Sequence, residues 1–260
     1  MRLTRAVLIL PSAFTLGSLF FGFWAIILAL RGSLALAGWL VVYAAVLDWM
    51  DGRVARFSRT HTRFGAELDS LADLVSFGLA PSLIVYRALF EEGEWSWIVC
   101  FLFVAAVALR LARFNVEQGG RALVHYLGLP SPAAGGVLAT YYAFTGTEFF
   151  GSHLAEWPWP RVGAIGLVVL SALMLSHVPY PVLRPGTRDA GRRAILLVML
   201  VSLGLVVWRP AEAAFPVTVS YVAYGLARAF VLEVAEQLSG PDPVEEEMRA
   251  PGAEREVDWR

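Results

Sequence analysis

Four aspartates lie within a short polar stretch, residues 48–73, of a chain that is otherwise mostly apolar. Asp48 and Asp51 are three residues apart, and Asp69 and Asp73 are four residues apart. On a helix, both spacings place the two side chains on one face. If the carboxylate faces of two such helices meet, all four groups converge, and a poorly hydrated cluster of this kind needs cations. All-oxygen ligands suit hard divalent ions, magnesium or manganese before calcium.

A second interpretation of the aspartates remains open. They could cap helix ends or pair with neighbouring arginines, of which Arg53 and Arg56 are the nearest. A single Asp–Arg pair would favour that interpretation. Four carboxylates at helical spacing favour a metal site instead.

The rest of the chain has the composition of an integral membrane protein. Of its 260 residues, 57% are hydrophobic, and the mean hydropathy is +0.60, whereas soluble domains are about 45–50% apolar. A spanning helix needs about 20 mostly apolar residues. Segments near this length cover residues 12–30, 33–52, 67–89, 95–114, 132–149, 161–178, 192–208 and 213–236. The sequence therefore predicts an all-α polytopic membrane protein with about eight transmembrane helices.

Arginine is distributed unevenly over the loops between these segments. If the N-terminus is inside, thirteen arginines fall on the cytoplasmic side, and four lie outside: Arg31, Arg87, Arg161 and Arg209. Cytoplasmic loops are generally enriched in Lys and Arg, so this bias favours the N-inside orientation. It places the aspartate stretch at the cytoplasmic face.

The charge and the end of the chain limit the other classes of function. The net charge is -1, and neither a basic patch nor a nucleic-acid module is recognisable, so no nucleic-acid partner is expected. Cys100 is the single cysteine, which excludes a disulfide framework. Residues 239–260 are polar and rich in Pro and Glu, and they predict a disordered acidic cytoplasmic tail.

The fixed spacing extends beyond the aspartates. Between and beside them stand Gly52, Ala55, Arg56 and Gly65. With these four residues, the stretch resembles the signature of the CDP-alcohol phosphotransferase family at each of its eight defined positions. The resemblance implies a six-helix membrane core, here within residues 1–181, followed by two additional helices in 182–238. It also implies transfer of a phosphatidyl or related group from a CDP-alcohol to a second alcohol, with release of CMP.

The same resemblance implies roles for the signature residues. Asp48, Asp51 and Asp69 would bind metal, two Mg²⁺ or Mn²⁺ ions, and Asp73 would share the second ion and act as general base towards the acceptor hydroxyl. CDP-diacylglycerol would lie against the remaining four positions. The glycines allow close approach of the nucleotide, and the arginine offers a planar fork of donors to the diphosphate. These substrate-binding positions are Gly52, Ala55, Arg56 and Gly65.

Further stretches resemble the serine-using branch of the family, the phosphatidylserine synthases. They cover residues 10–26, 77–82, 109–117, 127–136 and 173–181. This resemblance implies CDP-diacylglycerol and L-serine as substrates in a lipid membrane, and a homodimer.

An amino-acid acceptor needs partners for its ammonium and carboxylate groups. The candidates at the cytoplasmic end of the fourth helix are Arg110, Arg113 and Glu117, with Arg113 as the partner of the carboxylate and Glu117 as the partner of the ammonium. An interfacial Arg–Glu pair explains Arg113 and Glu117 equally well. Ser131 is expected as the N-cap of the fifth helix, and Gly135 and Gly136 are typical of close helix packing.

Two alternatives remain from the sequence alone. The acceptor could be another alcohol, such as glycerol 3-phosphate or an inositol phosphate. From a different class, the carboxylates could form the transport site of a metal-ion transporter. Such a site is expected near the midplane, often between repeated halves, and neither feature is detected. The expected location is the cell membrane of a bacterium or archaeon, with the active site at the cytoplasmic face.

Overall fold

The computed structural model describes the backbone of residues 2–58, 63–90, 96–117, 126–180 and 190–239. Side-chain surroundings are described for residues 13–54, 64–90, 96–116, 128–178, 180 and 197–231. The predicted tail, apart from its first residue, Ser239, therefore lies outside the described residues, as do the side chains of Ala55, Arg56 and Glu117.

Helices make up almost all of the described chain. They are α1 (Arg2–Leu30), α2 (Leu34–Ser58), α3 (Arg63–Asp73), α4 (Ala80–Val85), α5 (Ser96–Glu117), α6 (Ser131–Thr145), α7 (Glu148–His153), α8 (Trp159–Leu175), α9 (Ala190–Trp208) and α10 (Pro210–Ser239). Two π-helical segments, Leu74–Leu79 and Tyr86–Phe90, continue α3 and α4, so that residues 63–90 form one helical rod.

The all-α polytopic fold is confirmed. In the described residues, five helices are long and apolar enough to cross a membrane: Ala13–Leu30, Leu34–Val54, Phe64–Phe90, Ser96–Val116 and Pro210–Val231. Trp159–Leu175 and Leu197–Trp208 are apolar but shorter. The total of eight spans stays a prediction.

The predicted fifth segment, 132–149, is divided in the structure. Helix α6 ends at Thr145, and the short helix α7 begins at Glu148. The division follows from local sequence, because Gly146 is the C-cap residue of α6 and Thr147 is the N-cap of α7. The Thr147 hydroxyl accepts a hydrogen bond of 3.3 Å from the Phe150 amide.

The helices pack around the rod formed by residues 63–90. The first two helices form a hairpin whose turn contains Gly32 with φ +81, and both contact the rod. On its other sides lie α5 and α6. Helix α6 also lies between α2 and α10, and α5 packs on α8. The last helix, α10, is therefore part of the packed bundle.

Glycines bring two helices against the π-helical turn that directly follows Asp73. A Cβ atom on Gly135 of α6 would lie only 2.7 Å from the carbonyl oxygen of Phe77. A Cβ atom on Gly22 of α1 would lie 2.7 Å from Cα of Ser76. Ser76 and Phe77 are completely buried. π-Helical turns are rare and are frequently found at functional sites, and here close packing from both sides holds the turn in place.

A short antiparallel pairing connects the entry of α6 with the exit of α8. It joins β1 (Tyr126–Leu127) to β2 (Pro179–Tyr180), with Tyr126 opposite Tyr180. Gly128, at φ +83, follows β1 in a conformation that favours glycine. Its amide donates to the carbonyl of Val178 at 3.0 Å. The pairing places Tyr180 next to the start of α6.

Candidate metal and substrate site

Three of the four aspartates meet where α2 approaches α3. One carboxylate oxygen from each of Asp48, Asp69 and Asp73 lies within 4.8 Å of the others. Asp48 and Asp69 are half-buried, and Asp73 is 9% exposed. The helical spacing explains the meeting, because Asp69 and Asp73 stand one turn apart on the face of α3 that approaches α2.

Asp51 flanks this cluster and has its own partner. One turn after Asp48 on α2, it accepts a hydrogen bond through Oδ2 from the hydroxyl of Thr15 on α1. Both side chains are buried. Its other oxygen, Oδ1, has no hydrogen-bond partner among the described residues. Asp51 also lies close enough to Asp48 and Asp69 for electrostatic repulsion between the carboxylates.

The donor set fits a hard divalent cation. Oδ1 of Asp51 and Oδ1 of Asp73 are buried without a hydrogen-bond donor in the described part of the chain. Several carboxylates held together in a poorly hydrated place repel one another unless a cation compensates their charge. Carboxylate oxygens are the ligands that Mg²⁺, Mn²⁺ and Ca²⁺ prefer. The cluster can therefore bind a metal ion, and the identity and number of ions stay predictions.

Polar groups from α6 and α5 also reach Asp73. The hydroxyl of Ser131, fully buried at the start of α6, lies 3.4 Å from Oδ2 of Asp73. Arg110 on α5 donates from Nη1 to the same hydroxyl at 3.1 Å. Arg110 is also close enough to Asp73 to attract its carboxylate electrostatically.

The expected N-cap role of Ser131 is wrong. The N-cap residue of α6 is Pro130, in an extended conformation with φ -60 and ψ 138, and no side chain caps the helix there. Ser131 is the first residue inside the helix, and its hydroxyl is directed to Asp73 and Arg110. The sequence pattern located the helix start, but only the packing of α6 against the rod of residues 63–90 could bring the hydroxyl to these partners.

Side-chain hydrogen bonds tie α3 to α5 beside the cluster. Nδ2 of Asn115 donates to Glu67 at 3.2 Å and lies 3.0 Å from the Ser70 hydroxyl. Ser70 immediately follows Asp69 in the chain, so this bridge fixes the middle of α3 relative to α5. No sequence motif assigns a role to Asn115; its position between Arg113 and Glu117 is the available signal.

The predicted serine-binding residues do not converge on one point. Arg110 is directed to Ser131 and Asp73, whereas Arg113 donates from Nη1 to the carbonyl of Leu175, the last residue of α8, at 3.5 Å. The Glu117 side chain lies outside the described residues. The structure therefore brings Arg110 to the aspartates and turns Arg113 towards α8.

The predicted CDP-diacylglycerol positions are described only in part. Gly52 is exposed on α2, and Gly65 is half-buried on α3. The side chains of Ala55 and Arg56 lie outside the described residues. Gly52 is adjacent to Asp51 and Gly65 lies one turn before Asp69, so both glycines stay candidates for the nucleotide.

Two tyrosines that pack together, one of them near Arg110, are absent from the sequence-predicted site residues. Tyr180 follows α8, and Tyr221 belongs to α10; their ring centroids are 6.0 Å apart. Tyr221 is close enough to Arg110 for an electrostatic interaction. The sequence predicts α10 as an addition to the core, because no motif connects it with the aspartates. Only the packing of α10 on α6 brings it near the site.

Comparisons with known proteins agree with the resemblance of the aspartate stretch to the family signature. The sequence model of the CDP-alcohol phosphatidyltransferase family matches residues 8–175. A CDP-diacylglycerol–serine O-phosphatidyltransferase of Helicobacter pylori is 36% identical over 225 residues, 86% of this chain and 92% of the relative. One of Mycobacterium bovis is 36% identical over 203 residues, 74% of this chain and 68% of the relative. An archaetidylserine synthase of Methanothermobacter thermautotrophicus is 36% identical over 162 residues, 62% of this chain and 64% of the relative.

Proposed function

Because the chain belongs to the CDP-alcohol phosphatidyltransferase family, we propose that it transfers the phosphatidyl group of CDP-diacylglycerol to L-serine and releases CMP. The observation that carries this proposal is the meeting of Asp48, Asp69 and Asp73 beside the Ser131–Arg110 pair. The relatives named for serine support the choice of acceptor.

The metal-binding part of the site consists of the aspartates. Asp48, Asp69 and Asp73, with Asp51 beside them, would hold two divalent ions, Mg²⁺ or Mn²⁺. When bound, such ions neutralise charge on the transferred and leaving phosphates. Thr15 orients Asp51 through its hydrogen bond. The bridge from Asn115 to Ser70 keeps Asp69 in place relative to α5.

Asp73 is the proposed general base. Ser131 and Arg110 lie on the side of Oδ2, which leaves the buried Oδ1 for the acceptor. The serine hydroxyl gives its proton to this carboxylate while its oxygen forms the new bond to the phosphorus of the phosphatidyl group. The bond from that phosphorus to the bridging oxygen breaks, and CMP leaves with the electron pair. A carboxylate is a weak base at neutral pH, so its position against the hydroxyl matters most.

The position of the site at helix ends suits a lipid substrate. Asp48 and Asp51 lie in the second half of α2, Asp69 and Asp73 lie within the first eleven residues of the rod formed by residues 63–90, and Ser131 opens α6. The nucleotide would bind there, against Gly52, Ala55, Arg56 and Gly65, while the acyl chains stay in the bilayer. The arginine distribution supports an N-terminus inside and a cytoplasmic active site, in a bacterial or archaeal cell membrane. A homodimer is part of the proposal on family grounds alone.

The decisive experiment measures CMP release from CDP-diacylglycerol by the purified protein in detergent with Mg²⁺ or Mn²⁺. L-Serine, glycerol 3-phosphate and an inositol phosphate are offered separately, and the Asp73→Asn variant is the control. We expect the wild type to release CMP only when serine is the acceptor, and the Asp73→Asn variant to release none. Release only with another acceptor would reassign the substrate and keep the family chemistry. Metal uptake into vesicles, with no CMP release from CDP-diacylglycerol whichever acceptor is offered, would favour a transporter over the enzyme.

A further inference from the structure

Tyr180 is buried more completely than its polar group would favour. Its side chain is 1% exposed and heads the set of large, fully buried side chains. It packs in the apolar cluster that also contains Leu129 and Met174. Its hydroxyl has no hydrogen-bond partner among the described residues. Tyrosine hydroxyls in such places usually have one, so a ligand is the natural candidate for the partner.

Helix α10 is shaped to receive this ring. A Cβ atom on Gly225 would lie 2.8 Å from Cζ of Tyr180 and closer still to other atoms of its ring. One turn earlier on the same face, Tyr221 packs its half-buried ring beside Tyr180 at a tilt of 34°. Because Gly225 has no side chain, the Tyr180 ring can lie against α10 beside the Tyr221 ring.

The tyrosine pair continues the row of polar groups that begins at Asp73. Ser131 links Asp73 to Arg110 through contacts of 3.4 Å and 3.1 Å. Arg110 in turn lies within electrostatic range of Tyr221, and Tyr180 stands against Tyr221. A guanidinium and two phenol hydroxyls are all hydrogen-bond donors, and together they suit an anion.

We propose that Arg110, Tyr180 and Tyr221 form the subsite that binds the carboxylate of the amino-acid acceptor. This inference rests on the proposed function and specifies which residues select the acceptor. In serine, only two carbon atoms separate the hydroxyl oxygen from the carboxylate carbon. A hydroxyl at Asp73 therefore places the carboxylate next to the neighbouring cation, Arg110, and away from the repelling aspartates.

The location of the tyrosines explains why they select the acceptor. Residues 8–175 match the model of the whole family, and both tyrosines lie beyond that range. The matched part contains the aspartates that all such reactions would use. In the proposed subsite, the acceptor's carboxylate is then recognised by Arg110 inside the matched range together with Tyr180 on β2 and Tyr221 on α10, which follow it.

The test compares Tyr221→Phe and Tyr180→Phe with the wild type in CMP release, with L-serine and CDP-diacylglycerol varied in turn. Each substitution removes one hydroxyl and keeps the ring. We expect the KM for serine to rise about tenfold in each, as for loss of one hydrogen bond to a charged group, with kcat and the KM for CDP-diacylglycerol nearly unchanged. For ethanolamine, which is serine without the carboxylate, the KM should rise far less in each variant. The ratio of kcat/KM for serine to that for ethanolamine should therefore fall.

Tyr224→Phe is the matched control, since Tyr224 lies on α10 and is 49% exposed. It should behave as the wild type. An unchanged serine KM in Tyr221→Phe, or a loss of kcat without a change in KM, would overturn the subsite. If Tyr180→Phe fails to fold, Tyr221→Phe alone decides. If the wild type releases no CMP with serine, the proposed function itself is wrong. If the wild type is active but neither tyrosine variant changes the serine KM, only the proposed subsite is wrong.

Discussion

The hydroxyl of Thr15 on α1 donates a hydrogen bond to the carboxylate of Asp51 on α2. Both side chains are buried at the interface of the first two helices. The bond occupies one oxygen of Asp51, and the other has no partner among the described residues. Thr15 therefore orients Asp51, which stands at the edge of the three-carboxylate cluster. Thr15 has no carboxylate of its own, so its role is to position Asp51.

Replacing this hydroxyl tests its orienting role. In Thr15→Val the shape is kept but the hydrogen bond is lost, so Asp51 is free to rotate. We expect the metal concentration needed for half-maximal CMP release to rise about tenfold, the usual lower range for loss of a partner of a metal ligand. Thr15→Ser keeps the donor and should retain the wild-type requirement. Equal metal requirements in Thr15→Val and the wild type would remove the orienting role.

The two aspartates of α3 should be indispensable for turnover. Asp69→Asn and Asp73→Asn each remove a negative charge from a cluster whose oxygens lie within 4.8 Å. CMP release should fall to background in both. Folding and membrane insertion should persist, since a neutral amide relieves carboxylate repulsion. The measurement is CMP release per amount of protein that elutes as a single detergent-solubilised species.

A carboxylate remote from the cluster provides the control for these variants. Glu148 is exposed at the start of α7, beyond the far end of α6. Glu148→Gln should keep full activity. Near wild-type turnover in both Asp69→Asn and Asp73→Asn would remove the proposed mechanism.

Much of this arrangement could be predicted from the sequence because it depends on local periodicity. Apolar runs of about 20 residues determine the helices, and spacings of three and four place paired aspartates on one face. The meeting of Asp48 with Asp69 and Asp73 follows once the two helices are adjacent. Signature spacing then connects the cluster to the family.

The remaining features depend on contacts between distant helices. Thr15 meets Asp51 across 36 positions of sequence, and Ser131 meets Asp73 across 58. A hydroxyl at a helix start is equally suited to capping, so the pattern could not show that Ser131 faces an aspartate. Tyr221 has no local signal of function, because only the packing of α10 on α6 brings it near Arg110.

Close packing at the π-helical turn after Asp73 predicts opposite outcomes for two adjacent glycines. A methyl group on Gly135 would meet the Phe77 backbone at 2.7 Å and 3.0 Å, and buried backbone cannot easily move. Gly135→Ala should destabilise the protein by about 1–3 kcal/mol. It should also lower kcat, because Asp73 directly precedes the turn. Thermal unfolding in detergent and CMP release measure the two effects.

Gly136→Ala is the matched control. Its methyl group would lie 3.5 Å from Cγ2 of Thr218, an ordinary contact. Replacing a helical glycine with alanine stabilises a helix by about 0.5–1 kcal/mol when there is space, so the melting temperature should stay or rise. If the two variants lost the same stability and activity, the π-helical turn would not be the sensitive contact.

The two arginines of α5 should differ although they stand one turn apart. Arg110 donates to Ser131 beside Asp73, whereas Arg113 donates to the carbonyl of Leu175 at the end of α8. Arg110→Ala should lower kcat/KM for serine about a hundredfold through the lost charged hydrogen bonds. Arg113→Ala should leave the serine KM within about twofold of the wild type and cost about 0.3–1 kcal/mol of stability, as for a cation at a helix C-terminus.

Steady-state CMP release at varied serine, together with thermal unfolding, separates these two effects. A larger rise of the serine KM in Arg113→Ala than in Arg110→Ala would support the sequence-based hypothesis that Arg113 binds the acceptor carboxylate. It would also move the acceptor towards α8, away from the tyrosines. A rise in the KM for CDP-diacylglycerol in Arg110→Ala, with that for serine unchanged, would assign Arg110 to the diphosphate instead. The kinetics of Arg110→Ala and Arg113→Ala therefore show whether the acceptor lies beside Asp73 or towards α8.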